Sequence, residues 1–166
     1  MKNYVKEGQK LPLFGIGPYL ITGMGAITLA FMILSKSILS SGLLGGMWIF
    51  IFGSAGGVLM VLGAVIWFIG AVKSDMDDSI TRNRLKTDGI YAWVRNPMYS
   101  GWWILITGVG MMCHNLWLLA VPVINWALMT VVLINTEEKW LLGLYGKEYE
   151  DYKRHVNRCI PWKRRR

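Results

Sequence analysis

Arg95, Asn96 and Tyr99, within the run LKTDGIYAWVRNPMYSG from Leu85 to Gly101, are the residues of this chain best suited to chemistry. Pro97 is tolerated in the first turn of a helix, where a missing N–H costs least, and Asn96 is a natural cap before it. A helix that starts there turns its free backbone N–H groups and the positive end of its dipole toward Arg95. Such an end makes a place for an anionic group, a carboxylate or a phosphate. Tyr91, Tyr99 and Gly101 around the cap add aromatic hydroxyls and a bare backbone position, which suit a polar ligand. A plainer account makes Arg95 and Trp93 anchors of the helix at headgroup level.

A second concentration of chemistry follows the apolar run Leu116 to Ile134, at the adjacent carboxylates Glu137 and Glu138. Acids near a helix C-terminus oppose its dipole, and acids at membrane depth are expensive, so the pair needs a reason. Either the helix continues into solvent with Lys139 nearby, or at least one acid meets a cationic or hydroxyl-rich ligand. Beyond them Leu141, Tyr145, Tyr149, Tyr152 and Val156 recur at intervals of three or four, with Lys147, Lys153 and Arg154 on other faces. This stripe predicts an interfacial amphipathic helix, laid over the ends of the two preceding helices and closing a pocket between the Asn96 cap and the glutamates. Gly143 and Gly146 weaken it.

The elements that position these residues are membrane spans. With 54% hydrophobic and 17% charged residues, the 166-residue chain reads as an integral membrane protein rather than a water-soluble domain. Apolar runs extend over 17–34 and 47–72, each long enough to cross. A third, from Pro97 to Cys113, reaches only roughly 25 Å at about 1.5 Å per residue. It turns at His114 and Asn115 into the fourth, so the last two form a tight hairpin. The expected fold is all-α, with about four transmembrane helices and a cytoplasmic interfacial C-terminal helix. It is one domain over 1–166, of which 1–72 holds the first two spans and 73–162 the region with the chemistry.

Of the 18 Lys and Arg, only Lys36 falls in the loop between the first two runs. Lys2, Lys6 and Lys10 precede the first run, Lys73, Arg82, Arg84, Lys86 and Arg95 lie between the second and third, and the remainder follow Thr136. The positive-inside bias therefore puts both termini and the middle loop in the cytoplasm, across an inner or plasma-type membrane. The first run is too long for a signal peptide and no small-residue cleavage pattern follows it, so it reads as a retained span. A net charge of +8 beside membrane spans, ending in Lys163 to Arg166, points to anionic lipid headgroups rather than nucleic acid. Cys113 and Cys159 would lie on opposite faces of the membrane, which excludes a disulfide between them, and neither has the histidine spacing of a metal site. Gly53 and Gly57, with Gly56, Gly63 and Gly70 in the same run, allow close helix approach, within one chain or in a homodimer.

Taken together, GIYAWVRNPMYSG, the pair EE, LYGKEYEDYKRHV and a closing IP resemble the integral membrane methyltransferases that include isoprenylcysteine carboxyl methyltransferases and phospholipid N-methyltransferases. The resemblance covers roughly Gly63 to Trp162. It implies an S-adenosylmethionine site built from the segment between the second and third helices together with the glutamates. Carried over by position, Arg95, Asn96 and Tyr99 would hold the methionine end. The Leu85 to Tyr91 backbone, with Lys86 and Gly89, would line the adenine, and Gly101 belongs to the same set. Glu137 or Glu138 would take ribose hydroxyls or the amino group, and Arg95 and Glu138 are the residues expected to act in catalysis. Methyl transfer is an in-line displacement on the sulfonium methyl, which rests on alignment and exclusion of water more than on an acid and base pair.

Two departures bear on this. Asn96 stands where many relatives have histidine. Leu133, four residues before Glu137, stands where the prenylcysteine-methylating relatives tend to have arginine, so a lipophilic amine, thiol or phospholipid is expected as acceptor ahead of a prenylcysteine carboxylate. A weaker resemblance, to membrane sterol reductases with a related arginine, proline and tyrosine arrangement, would imply a nicotinamide cofactor. Asn96, Met98 and the short chain depart from it. A non-enzymatic scaffold explains the composition equally well, but not a cap motif and an acid pair at matching depth.

Overall fold

The computed structural model describes residues 15–73 and 84–162, and no β-strand occurs among them. Four long helices, α1 (Gly17–Leu34), α2 (Met47–Phe68), α3 (Pro97–Met111) and α4 (Ala120–Asn135), are followed by the short helices α5 (Glu137–Tyr145) and α6 (Lys147–His155). A π-helical turn, Ile69–Lys73, extends α2. Three stretches are long and apolar enough to cross a membrane: Gly17–Leu34, Met47–Lys73 and Leu116–Tyr145. The chain is an integral membrane protein. The expected third span, α3, has 15 residues and is not among the three. Lys2, Lys6, Lys10, Arg82 and Lys163 to Arg166 lie outside the described residues.

The contacts fix an up-and-down bundle. Along the α2–α3 seam, Gly70 meets Pro97, Gly63 meets Gly101 and Leu105, and Gly56 meets Gly108 and Met111, so the two helices run antiparallel over the whole of α3. The three α2-side glycines recur every seven residues and form one stripe. A Cβ at Gly63 would lie 2.6 Å from the Gly101 carbonyl oxygen, which is why the stripe is glycine: backbones approach closely where side chains are absent, and in lipid such packing replaces the hydrophobic drive. Gly53 and Gly57 take no part in this seam, and a Cβ at Gly57 would meet nothing within 4 Å among the described residues.

Helix α1 lies beside α3 and α4. Trp102 Nε1 donates to the Ile21 carbonyl at 3.1 Å, and Trp103 Nε1 to that of Pro122 at 2.9 Å. Asn125 Nδ2 donates to Thr28 Oγ1 at 3.0 Å, a buried interhelical hydrogen bond of the kind that costs lipid-facing helices less than leaving the amide unpaired. Leu20, Met24, Tyr99, Ile106, Met129, Leu133 and Cys159 form the core that these helices share. At one end of the bundle Asn115 ties the turns together, donating to the carbonyls of Ser35 at 3.1 Å and Leu39 at 2.8 Å. The start of α1, the end of α2, the start of α3 and the end of α4 all gather at the other end, where the candidate site lies.

Candidate functional site

The segment leading into α3 is shaped by the C-terminal tail. After an extended stretch from Arg84, Gly89 adopts a positive φ of 57° and opens a short 3-10 turn, Gly89–Ala92. The next residues run alongside the tail. Arg95 N donates to the Asn157 carbonyl at 2.8 Å, Asn96 N to that of Arg158 at 3.2 Å, and Trp162 N to that of Trp93 at 3.2 Å. α3 begins at Pro97 as expected, but Asn96 does not cap it with its side chain. The amide Nδ2 donates instead to the Arg158 carbonyl at 3.0 Å. A cap would need Oδ1 to accept from a first-turn N–H, whereas the side chain is oriented by its Nδ2 donation to the tail; Ser100 Oγ donates to the Asn96 carbonyl at 2.8 Å and tightens the first turn another way.

The glutamates also sit differently from expectation. Thr136, at φ −121° and ψ −88°, breaks the helix, so Glu137 and Glu138 occupy the first turn of α5 instead of the last turn of a continuous one. There the helix dipole favours them. They face different partners. Glu137 accepts from the Tyr99 hydroxyl, beside the entry to α1, where Gly15 and Gly17 leave room. Glu138, only 4% exposed, is the hub of a cation cluster. Its Oε1 takes Arg158 Nε and, at 3.2 Å, Arg95 Nη1; its Oε2 takes Arg158 Nη2 at 3.3 Å and Lys153 Nζ at 3.8 Å.

Arg95 is buried, with its guanidinium shared between two elements. Nη1 also donates to the Tyr149 hydroxyl at 3.0 Å, and the guanidinium carbon lies 5.9 Å from the centre of that ring. Its Nε is buried without a hydrogen-bond partner among the described residues. Burial pushes the Tyr149 hydroxyl up to about 12, with Arg95 opposing the shift and Glu138 adding to it, so this phenol stays protonated. The Glu138 carboxylate holds Arg158 above the ordinary arginine range. Across the segment, Lys86 pairs with Asp88 at 3.0 Å and holds that carboxyl below its usual range.

Between these parts opens a small cleft, open to solvent on one side. Arg84, Leu85, Lys86, Tyr91, Arg95 and Asn96 form one wall, and Leu141, Tyr145, Tyr149 and Tyr152 the other. Tyr152 donates to the Tyr91 carbonyl at 2.6 Å and closes one side. Tyr149, Tyr152 and Val156 pack with Leu85, Leu141 and Tyr145, so the apolar stripe foreseen along the C-terminal region does face this place. It does so as two helices: Gly146, at φ 53°, ends α5 and starts α6.

Of the residues expected around a ligand, Leu85, Lys86, Tyr91, Arg95 and Asn96 line the cleft. Gly89 makes the turn that presents Tyr91. Tyr99 and Glu137 lie outside the lining, paired with each other. Glu138 reaches the cleft only through Arg95, its carboxylate engaged by cations and not turned to hydroxyls. Gly101 packs on α2, where a Cβ would lie 2.7 Å from the Gly63 carbonyl oxygen, and is not part of the lining. Arg84 and Lys153 entered the sequence reading only as loop and helix-face charges, and Arg158 was not singled out. The tail residue Arg158 had no local signal, because its partners lie 20 and 62 positions away.

A helical membrane protein with a basic and tyrosine-rich cleft at one end of its bundle is the class that fold and site define. The chain belongs to the phospholipid methyltransferase family, whose model matches residues 43–148. It is 38% identical over 84 residues to a protein-S-isoprenylcysteine O-methyltransferase of Schizosaccharomyces pombe, covering 46% of this chain and 33% of that protein. With a methanethiol S-methyltransferase of Crocosphaera subtropica it shares 31% identity over 81 residues, 48% of this chain and 30% of the relative. A protein-S-isoprenylcysteine O-methyltransferase of Rattus norvegicus is 34% identical over 122 residues, 66% of this chain and 41% of its own length. The chain thus spans about a third of the length of the curated relatives it matches. No solved structure matches it. The family match stops before Tyr149, Tyr152 and Arg158.

Proposed function

We propose that the protein is an S-adenosylmethionine-dependent methyltransferase that acts at the membrane interface on a lipophilic or small acceptor, with amines, thiols and phospholipids ahead of a prenylcysteine carboxylate. The observation that carries this reading is the cleft itself: a buried guanidinium with an unpartnered Nε and two further cations on one wall, facing tyrosine rings on the other, in a chain of this family.

The donor set fits the cofactor. Its carboxylate suits Arg95 and the basic wall, and its sulfonium suits tyrosine faces, since aromatic rings attract cations. When bound, S-adenosylmethionine supplies a methyl group activated by the sulfonium. Arg95 and Asn96 hold the amino-acid end, and the Leu85 to Tyr91 segment lines the nucleoside. Tyr145, Tyr149 and Tyr152 cover the opposite side and exclude water, so that alignment does most of the work. Glu138 acts behind Arg95 as its counter-ion. Tyr99 and Glu137 mark the side toward α1, where an acceptor arriving from the bilayer would approach. Leu133 lies buried in the core, so no cation there awaits a carboxylate substrate.

The same reading has all four long helices cross the membrane, with the basic cleft end cytoplasmic and anionic lipid headgroups around it. The outer face of α2, with Gly53 and Gly57, is open to lipid or to a second copy of the chain. Transfer of labelled methyl from S-adenosylmethionine to a panel of lipophilic amines, thiols, phospholipids and prenylcysteines tests the acceptor assignment. Turnover of amine, thiol or phospholipid is the expected result; turnover of the prenylcysteine alone would overturn that assignment.

A further inference from the structure

Arg158 makes two kinds of contact with one small region. Its guanidinium forks onto both oxygens of Glu138, whose Oε1 also holds Arg95 Nη1 at 3.2 Å. Its carbonyl accepts both the backbone N–H and the side-chain amide of Asn96, at 3.2 and 3.0 Å, while the neighbouring Asn157 carbonyl accepts Arg95 N. The two residues that face the cleft from the start of α3 are therefore held by one residue of the tail, from behind and from below. Arg158 does not line the cleft. We propose that Arg158 is a positioning residue: through Glu138 and through its own carbonyl it fixes the Arg95 guanidinium and the Asn96 amide in the pose from which they grip the anionic end of a bound ligand.

The geometry explains why a fork is needed. Arg95 Nη1 is shared between Glu138 and Tyr149, so a carboxylate free to rotate would leave Arg95 several poses. Two parallel bonds from Arg158 lock the plane of the Glu138 carboxylate, and a lysine offers a point charge without that lock. Lys153, at 3.8 Å and half exposed, is no substitute. The adjoining Cys159 provides an internal gauge, being buried in the core shared by α1, α3 and α4; it reports whether the tail is docked.

This inference rests on the reading of the cleft as an S-adenosylmethionine site, and its test separates the two. The full chain in detergent, carrying Cys113→Ser, is compared with the same chain carrying Arg158→Lys. Calorimetry measures binding of S-adenosylhomocysteine and of 5′-methylthioadenosine, which has no amino-acid end, and maleimide labelling measures access to Cys159. The expected result for Arg158→Lys is a loss of about tenfold in affinity for S-adenosylhomocysteine, the scale of one hydrogen bond to a charged group, with little change for 5′-methylthioadenosine and Cys159 still protected. Equal losses for both ligands, no loss for either, or an exposed Cys159 would make Arg158 a fastener of the tail and overturn the proposal. A parent chain that binds neither ligand would overturn the methyltransferase reading along with it.

Discussion

Glu138 gathers three cations on two oxygens, and the arrangement makes it the residue whose loss the fold should feel most. Removing one partner of a buried ion pair leaves the other charge uncompensated, and the Arg95 side chain is only 6% exposed. Glu138→Ala is expected to lower stability by about 3–5 kcal/mol, measured by thermal unfolding in detergent. A shift equivalent to less than about 1 kcal/mol would mean that water screens the pair as it does at a surface. Cys159 gives a pH-dependent counterpart. Burial pushes its thiol up to about 12 from an ordinary 9.0. The stability linked to it is full below pH 9 and is lost as pH rises toward 12, because the unfolded chain releases that proton first. At pH 8 iodoacetamide should modify Cys113 well before Cys159, and unfolding should equalise them; equal rates in the folded chain would contradict the burial. Positions at the cleft were legible in the sequence where the signal was local. Arg95 and Asn96 stand beside a proline that fixes a helix start, whereas Glu138 and Arg158 find their meaning only in contacts distant along the chain.

At the scale of elements, hydropathy alone located the long helices, since an apolar run needs no tertiary information to read as a span. What it missed are the breaks. Thr136 carries no strong breaking signal, yet it reverses the electrostatics of the acid pair by moving the pair from a helix end to a helix start. Gly146 was visible as a weak point and turned out to be a boundary. The glycines divide in the same way: Gly53 and Gly57 fit a familiar four-residue interval, but the stripe used is Gly56, Gly63 and Gly70, set by what α3 presents opposite it. Gly63→Ala should force α2 from α3 at a cost of about 1–3 kcal/mol. Gly57→Ala should be neutral or stabilising by up to about 1 kcal/mol, since a helical glycine there is replaced without a clash. Thermal melts of the two variants in one detergent check this, and equal effects would contradict the assigned seam.

For the whole molecule, an up-and-down bundle puts the cleft, the starts of α1 and α3 and the ends of α2 and α4 at one end, and the Ser35 to Gly46 connection at the other. Lysine and arginine are nearly absent from the far loop, and on the positive-inside bias the cleft end is the one expected in the cytoplasm. With Cys113 and Cys159 replaced by serine, a cysteine at Ser41 should react with an impermeant maleimide from outside intact cells, and one at Asp88 only after lysis. Labelling of both from the same side would contradict four crossings. The cleft itself was less legible than the bundle, since its second wall comes from tyrosines whose spacing signalled a helix face without saying what the face covers.

The central claim is that the cleft binds S-adenosylmethionine. The most direct measurement is calorimetric titration of the cofactor into the purified full chain, wild type beside Arg95→Gln. One saturable site is predicted, weakened about tenfold or more in the variant, the scale of a lost hydrogen bond to a charged group. Heats no larger than dilution from a wild-type chain that melts cooperatively would contradict it.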